Sequence, residues 1–197
     1  MNIIVACCKN NGIGFKGRLP WHLPKELIYF KSITQLGKKN AIIVGKNTWQ
    51  KDLYSTPLPK RHNIILSSTE TKDNTGREDE FKVVKNTNEM YNYINNTTSY
   101  DNIWVLGGKN VYKEFLKDNN VKYIFKTDIH RFYNCDTFFP DMSDKYQNVY
   151  TSKLFNDRGI YFNINIYENT NYSPIHINNN YSIEDYHKVI NNVWENK

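Results

Sequence analysis

Two junctions in this chain join an apolar run to glycine, lysine and a helix start. Ala41-Ile42-Ile43-Val44 runs into Gly45-Lys46-Asn47-Thr48-Trp49, and Ile103-Trp104-Val105-Leu106 runs into Gly107-Gly108-Lys109-Asn110-Val111-Tyr112. Glycine lets backbone N–H groups approach a ligand closely, a helix N-terminus favours anions, and lysine adds a point charge. Two such units can hold a pyrophosphate between them, although α/β proteins also need glycine at such turns for purely structural reasons. Neither is a Walker loop, because the GxxxxGK[ST] spacing is absent. A third run ends in Leu66-Ser67-Ser68-Thr69, whose hydroxyls can bind a further phosphate. Gly12-Ile13-Gly14-Phe15-Lys16-Gly17 is a literal GxGxxG, but Pro20 and Pro24 exclude the continuous helix that a dinucleotide fingerprint needs. It reads instead as a mobile loop beside the first strand. Glu26 is the candidate acid, set between Pro24 and the apolar Leu27, Ile28 and Phe30. Its competing reading is first-turn complementation of a helix dipole. If it is buried, desolvation pushes its pKa up and the helix N-terminus pushes it down.

Short continuous apolar runs must position these residues. Residues 2–8, 41–44, 63–66, 81–84 and 103–106 read as buried strands, and helix-period segments begin near Pro24, Lys46, Asn88 and Gly108. The Pro24 helix carries Leu27, Phe30 and Ile33 or Thr34 on one expected apolar face and ends at Gly37. Strands alternating with helices predict an α/β fold, with a central mixed but mostly parallel sheet of about eight strands and flanking helices. Residues 121–129, 147–154 and 160–167 add strands without an intervening helix between the last two, so an antiparallel C-terminal edge hairpin is expected. In open α/β sheets ligands sit at the carboxyl ends of strands, so the three junctions are expected to line one crevice. An Asn-rich linker is expected over 169–181. A C-terminal amphipathic helix over 182–197 follows, with Ser182 and Asp185 forming a capping box and Ile183, Tyr186, Ile190, Val193 and Trp194 an apolar stripe.

Composition narrows the function classes. A chain of 197 residues can bury roughly 70% of its unfolded surface, so disorder as the overall state is excluded. Apolar runs fall short of the ~20 residues of a membrane helix, and no signal peptide precedes the first strand, which points to a cytoplasmic protein that does not engage membranes. Cys7 and Cys8 are adjacent and Cys135 is distant, without metal-ligand spacing, so they read as buried or free thiols and no metal is expected. The formal net charge of +6 is spread along the chain. It describes a solvated basic surface or a cleft for small polyanions better than a nucleic-acid interface, for which steep salt dependence would be the sign.

At these residues the chain resembles the dihydrofolate reductase family over roughly residues 1–168. Ile3-Ile4-Val5-Ala6, Asn11-Gly12-Ile13-Gly14, Leu19-Pro20-Trp21-His22-Leu23-Pro24-Lys25-Glu26-Leu27 and Phe30-Lys31 stand in the family order. So do Gly45-Lys46-Asn47-Thr48-Trp49, Leu58-Pro59-Lys60-Arg61-His62-Asn63, Gly107-Gly108, Val111-Tyr112, Thr127 and Asp136-Thr137-Phe138-Phe139-Pro140. The resemblance implies NADPH-dependent reduction of 7,8-dihydrofolate to tetrahydrofolate, with hydride transfer to the pterin C6 and protonation at N5. Glu26 would be the single acid, Thr127 its hydrogen-bond partner, and Trp21 would order nearby water. Ile4, Val5, Leu27, Phe30, Leu53, Leu58, Leu106 and Tyr112 would contact the substrate or antifolate-type ligands, and Arg61 would clamp the folate α-carboxylate. On the cofactor side the resemblance implies Ala6, Ile13, Gly45, Lys46, Thr48, Leu66, Ser67 and Ser68, together with Gly107, Gly108, Lys109, Asn110, Val111 and Tyr112. The Gly107-Gly108 peptide would be cis, and residues 12–19 would close over the nicotinamide.

The match departs at Lys46, where arginine is common, at Asn110, and in a slightly long stretch between Trp49 and Pro57. The segment from Ser182 onward resembles the opening helix of thymidylate synthase, which implies the reductase part of a bifunctional reductase–synthase; an ordinary helix packed on its own domain is the competing reading. Two further functions compete with folate reduction: a catalytically weak reductase-like docking module, and a reductase of another pterin or of a pyrimidine. Glu26 and Arg61 together favour folate.

Overall fold

The computed structural model describes residues 1–51, 53, 56–69, 81–97, 99–174 and 181–195. Six parallel strands form most of its main sheet: β1 (Asn2–Cys8), β3 (Asn40–Gly45), β4 (His62–Leu66), β5 (Phe81–Val84), β6 (Asn102–Gly107) and β7 (Tyr123–Ile129). β1, β3 and β6 are nearly continuous apolar runs because both faces are covered, which is why they could be read directly, whereas only Val84 of the edge strand β5 is buried. In β1 and β3 nearly every residue is buried. The spatial order is β5-β4-β3-β6-β1-β7, followed by the antiparallel β11 (Ile160–Asn169).

The expected edge hairpin divides in two. β9 (Tyr146–Thr151) and β10 (Phe155–Asp157) both pair antiparallel with β11, at different positions along it, to make a nine-stranded sheet. A second, two-stranded sheet joins β2 (Gly12–Gly14) to β8 (Thr137–Phe138). It was not expected, because strands of two and three residues carry too little period to be read.

The flanking helices are α1 (Pro24–Thr34), α2 (Lys46–Lys51), α3 (Thr87–Asn96), α4 (Lys109–Phe115) and α5 (Ile183–Glu195). None among the described residues is long and apolar enough to cross a membrane. In α1 the expected face is corrected: Glu26, Tyr29, Ile33 and Thr34 are buried, whereas Leu27 is 44% exposed and Phe30 only half-buried. Tyr29 and Ile33 turn into the core shared by β1, β6 and β7, Phe30 packs at its margin, and Leu27 is exposed.

α5 has the expected capping box, with Asp185 N–H donating to Ser182 Oγ and Ser182 N–H to Asp185 Oδ2. It packs on α1 and the sheet, burying Tyr186 and Ile190 completely. The Tyr186 hydroxyl accepts from Asn2 Nδ2 at 3.1 Å and donates to Asn102 Oδ1 at 2.6 Å. Asn102 Nδ2 in turn donates to the Leu36 carbonyl at 2.8 Å. Of the linker expected over 169–181, residues 175–180 lie outside the described residues, and Asn169 still belongs to β11.

Candidate active site

Because β1, β3, β4 and β6 run parallel, their carboxyl ends share one edge of the sheet, and a cleft of about 1090 Å³ opens there. All three junctions reach it, through Gly45, Lys46 and Thr48, through Leu66, Ser67 and Ser68, and through Gly108, Lys109, Asn110, Val111 and Tyr112. Val5, Ala6, Ile13 and Leu106 complete its inner wall. Sequence reasoning missed several cations on its rim, among them Lys16, Arg18, Lys51 and Lys85. They arrive from three separate segments, residues 16–18, the end of α2 and the residue after β5.

Backbone crowding shapes this cleft. A Cβ added at Gly45 would meet Val111 Cγ2 at 2.9 Å, and one at Gly108 would meet Thr48 Oγ1 at 3.0 Å. Gly107 has φ +96 and lies against the Tyr112 ring, where a Cβ would come within 2.4 Å. The Gly107–Gly108 peptide is cis. Tyr112, expected to touch ligands, also holds the backbone in position. Its buried hydroxyl lies 2.9 Å from the Ile4 carbonyl and 2.7 Å from that of Leu106, tying β1 to β6. Lys46 Nζ donates to Thr69 Oγ1 at 2.7 Å, which links the β3 junction to the end of β4.

The carboxylate is held apart from these phosphate-type groups. Glu26 is buried in the first turn of α1, and Thr127 Oγ1 on β7 donates to its Oε1 at 3.0 Å across 101 positions of sequence. Desolvation dominates, pushing its pKa up to about 7; the Thr127 bond opposes this and the nearby Asp157 charge adds to it. Helix-dipole complementation at the surface is therefore not its role, because a buried carboxyl that titrates near neutrality has been removed from water. Asp157 escaped sequence reasoning. Its signal was the alternation in β10, which places Asp157 on the same buried side as Phe155, where its Oδ2 accepts the Lys25 N–H at 2.7 Å.

Arg61 is likewise buried. Its Nη1 donates to Thr34 Oγ1 at 2.8 Å and its Nε to the Pro59 carbonyl at 3.2 Å, and its guanidinium lies 5.7 Å from the Phe30 ring centroid. Asn63 fixes the loop that carries it, accepting from Leu58 N–H and donating to the carbonyls of Leu58 and Arg61. Desolvation lowers the Arg61 pKa to about 10, so the group stays cationic at neutral pH. Trp21 packs edge-on against Tyr133, and its buried Nε1 has no protein partner among the described residues.

Ile4, Ala6, Phe30, Leu58 and Leu106 all belong to or pack against one apolar cluster on the Glu26 side of the sheet. Leu53 does not: it packs with Val44, Trp49 and Ile65 in a separate cluster, and its neighbours at 52, 54 and 55 lie outside the described residues. Neither Glu26 nor Arg61 lines the large cleft. The site is therefore two compartments, one basic and glycine-walled, the other apolar and holding Glu26 and Arg61, meeting at Ala6 and Leu106.

The chain is 36% identical to a dihydrofolate reductase of Aedes albopictus over 180 residues, covering 85% of this chain and 96% of that protein. It is 34% identical to the dihydrofolate reductase of Drosophila melanogaster over 161 residues, or 75% and 83% of the two chains. A bifunctional dihydrofolate reductase–thymidylate synthase of Zea mays is 36% identical over 147 residues, which are 70% of this chain but 28% of that protein. The family profile described as Dihydrofolate reductase matches residues 1–169, the span that holds both compartments and stops before α5. With the match running through every strand of the main sheet and through both compartments, the chain belongs to the dihydrofolate reductase family.

Proposed function

We propose that this chain reduces 7,8-dihydrofolate to 5,6,7,8-tetrahydrofolate with NADPH in the cytoplasm, supplying one-carbon metabolism and thymidylate synthesis. The observation that carries the reading is the Glu26 carboxyl, buried and titrating near 7 beside Thr127. A general acid works best when its pKa lies near the working pH. Glu26 would pair with the amino group and N3 of a pterin and hold the proton that N5 must gain. Trp21, buried beside Tyr133, would order nearby water. The Arg61 guanidinium, already oriented by Thr34 and Pro59, is suited to bidentate capture of the substrate's α-carboxylate.

The residues of the large cleft fit a phosphorylated dinucleotide. Bare backbone at Gly45 and Gly108 admits close approach, and Lys46, Thr48 and Ser68 would hold its phosphates. When bound there, the reduced nicotinamide supplies the hydride. Residues 12–19, several of which line the cleft, would exclude water during that step. The bifunctional plant relatives support a longer arrangement in which a synthase domain follows, although α5 itself packs on α1 as a helix of this domain. The docking-module reading is disfavoured because Glu26, Thr127 and Arg61 are all present and hydrogen-bonded in place.

The test follows loss of reduced-nicotinamide absorbance on mixing the protein with NADPH and dihydrofolate, beside Glu26→Gln. Turnover by the wild type that collapses in the variant at neutral pH, and partly recovers in acid where solvent can protonate the substrate, is the expected result. A folded wild-type protein that binds NADPH without turnover would overturn the reductase reading.

A further inference from the structure

Three free thiols occur in the described chain, and two of them meet. Cys8 ends β1, Cys135 lies just before β8, and their Sγ atoms are 3.6 Å apart. Strand alternation sends Cys7 to the opposite face of the sheet, into a different core cluster, so it cannot join them. Cys8 is buried, while Cys135 is partly exposed and reachable by a small reagent. Gly12 sits directly on the pair: a Cβ there would come within 2.3 Å of Cys135 Sγ and 2.9 Å of Cys8 Sγ. The absence of a side chain leaves room for the sulfurs to rotate together.

The pair lies at the base of the segment that borders the large cleft. The Asp136 N–H donates to the Gly14 carbonyl at 3.0 Å, the Lys16 N–H donates to Asp136 Oδ2 at 2.7 Å, and β2 pairs with β8. Residues 13–14 and 16–19 line the cleft immediately beyond.

We propose that Cys8 and Cys135 form a dithiol site that low-molecular-weight disulfides oxidise to an internal disulfide, locking the base of residues 12–19. A Cys135 thiolate attacks one sulfur of the reagent and expels a first thiolate. Cys8, having given its proton to solvent, attacks the Cys135 sulfur of the mixed disulfide and expels a second. The protein loses two electrons and two protons, and the reagent leaves as two thiols. Bond formation needs the sulfurs to close to roughly 2.0 Å, a movement within reach of side-chain rotation. Burial and the contact with Cys8 push the Cys135 thiol up to about 11, so exchange is slow near neutrality.

The experiment incubates the folded, full-length protein with glutathione disulfide at about pH 9, where thiolate is more abundant. Thiols are then trapped and peptides mapped by mass spectrometry without reduction. The wild type is expected to lose two thiols and yield a Cys8–Cys135 peptide pair, whereas Cys8→Ser accumulates a glutathione adduct on Cys135. A stable adduct on wild-type Cys135, three retained thiols, or a pair that forms only in denaturant would each overturn the site. Hydrogen exchange on the oxidised protein reads the second half of the proposal. Several-fold slower exchange across residues 12–19 supports locking, and unchanged exchange overturns it. Neither readout depends on turnover, so the outcome stands apart from the reductase reading.

Discussion

Two sets of buried polar groups act to opposite effect. At the amino ends of β1 and β6, Asn2 and Asn102 meet Tyr186 in hydrogen bonds of 2.6–3.1 Å, and Leu36 closes the set. Glu26, toward the carboxyl ends, and Arg61, directly before β4, have protein partners yet remain perturbed, one carboxyl raised to about 7 and one guanidinium lowered to about 10. The first set uses neutral amides and a hydroxyl that satisfy one another, which fixes the position of a helix. The second uses ionisable groups whose desolvation is only partly offset by the protein. Their remaining hydrogen-bonding capacity is what a ligand completes, so fixed structure and binding are separated by the kind of group that is buried.

Glu26→Gln breaks the second set most severely. Steady-state assays at neutral pH should show kcat for dihydrofolate reduction falling roughly 10²–10⁴-fold, the scale of a lost general acid. The same variant sharpens the contrast in stability. The folded-state pKa of about 7 lies above the ordinary 4.5, so the Glu26 contribution is fully present below about 4.5 and is lost as pH rises through 7. Removing the charge should therefore stabilise the ligand-free protein above about pH 8 by up to about 3 kcal/mol, and leave it little changed in acid, by urea denaturation. Arg61→Lys keeps the charge but loses the fork; KM for dihydrofolate should rise by the equivalent of roughly 2–3 kcal/mol with kcat nearly unchanged. Tyr186→Phe attacks the first set and should cost roughly 1–3 kcal/mol of stability without altering kcat/KM, by thermal melting and steady-state assay. Thr127→Val, the mildest, removes the bond that lowers the Glu26 pKa, so the alkaline limb of the pH–rate profile should move upward.

Much of this was legible in the sequence, for physical reasons that differ by element. Strands β1, β3 and β6 are buried on both faces, so apolar runs alone marked them, and the glycines after β3 and β6 marked where a ligand can approach. α1 was legible in extent, because Pro24 fixes its start, but not in orientation. Its apolar residues surround the axis, with Tyr29 and Ile33 buried against the sheet, Phe30 at the margin of the same core, and Leu27 and Ile28 exposed. A periodicity argument has no preferred face in such a helix. The Glu26 pKa was illegible because burial and capping act in opposite directions, and only the fold decides which dominates. The Cys8–Cys135 contact was hidden by 127 positions of separation, with no spacing motif to suggest it.

The Tyr186 network also sets an order in time. Asn2 and Tyr186 are 184 positions apart, so at ~5–20 residues per second a ribosome makes the second roughly ten to forty seconds after the first. Throughout that interval the amide end of the nascent sheet has no α5 to close it, and Asn2 Nδ2 and Asn102 Oδ1 lack the Tyr186 hydroxyl. The Glu26 side of the molecule can thus assemble before arrival of α5 seals the Asn2 and Asn102 end.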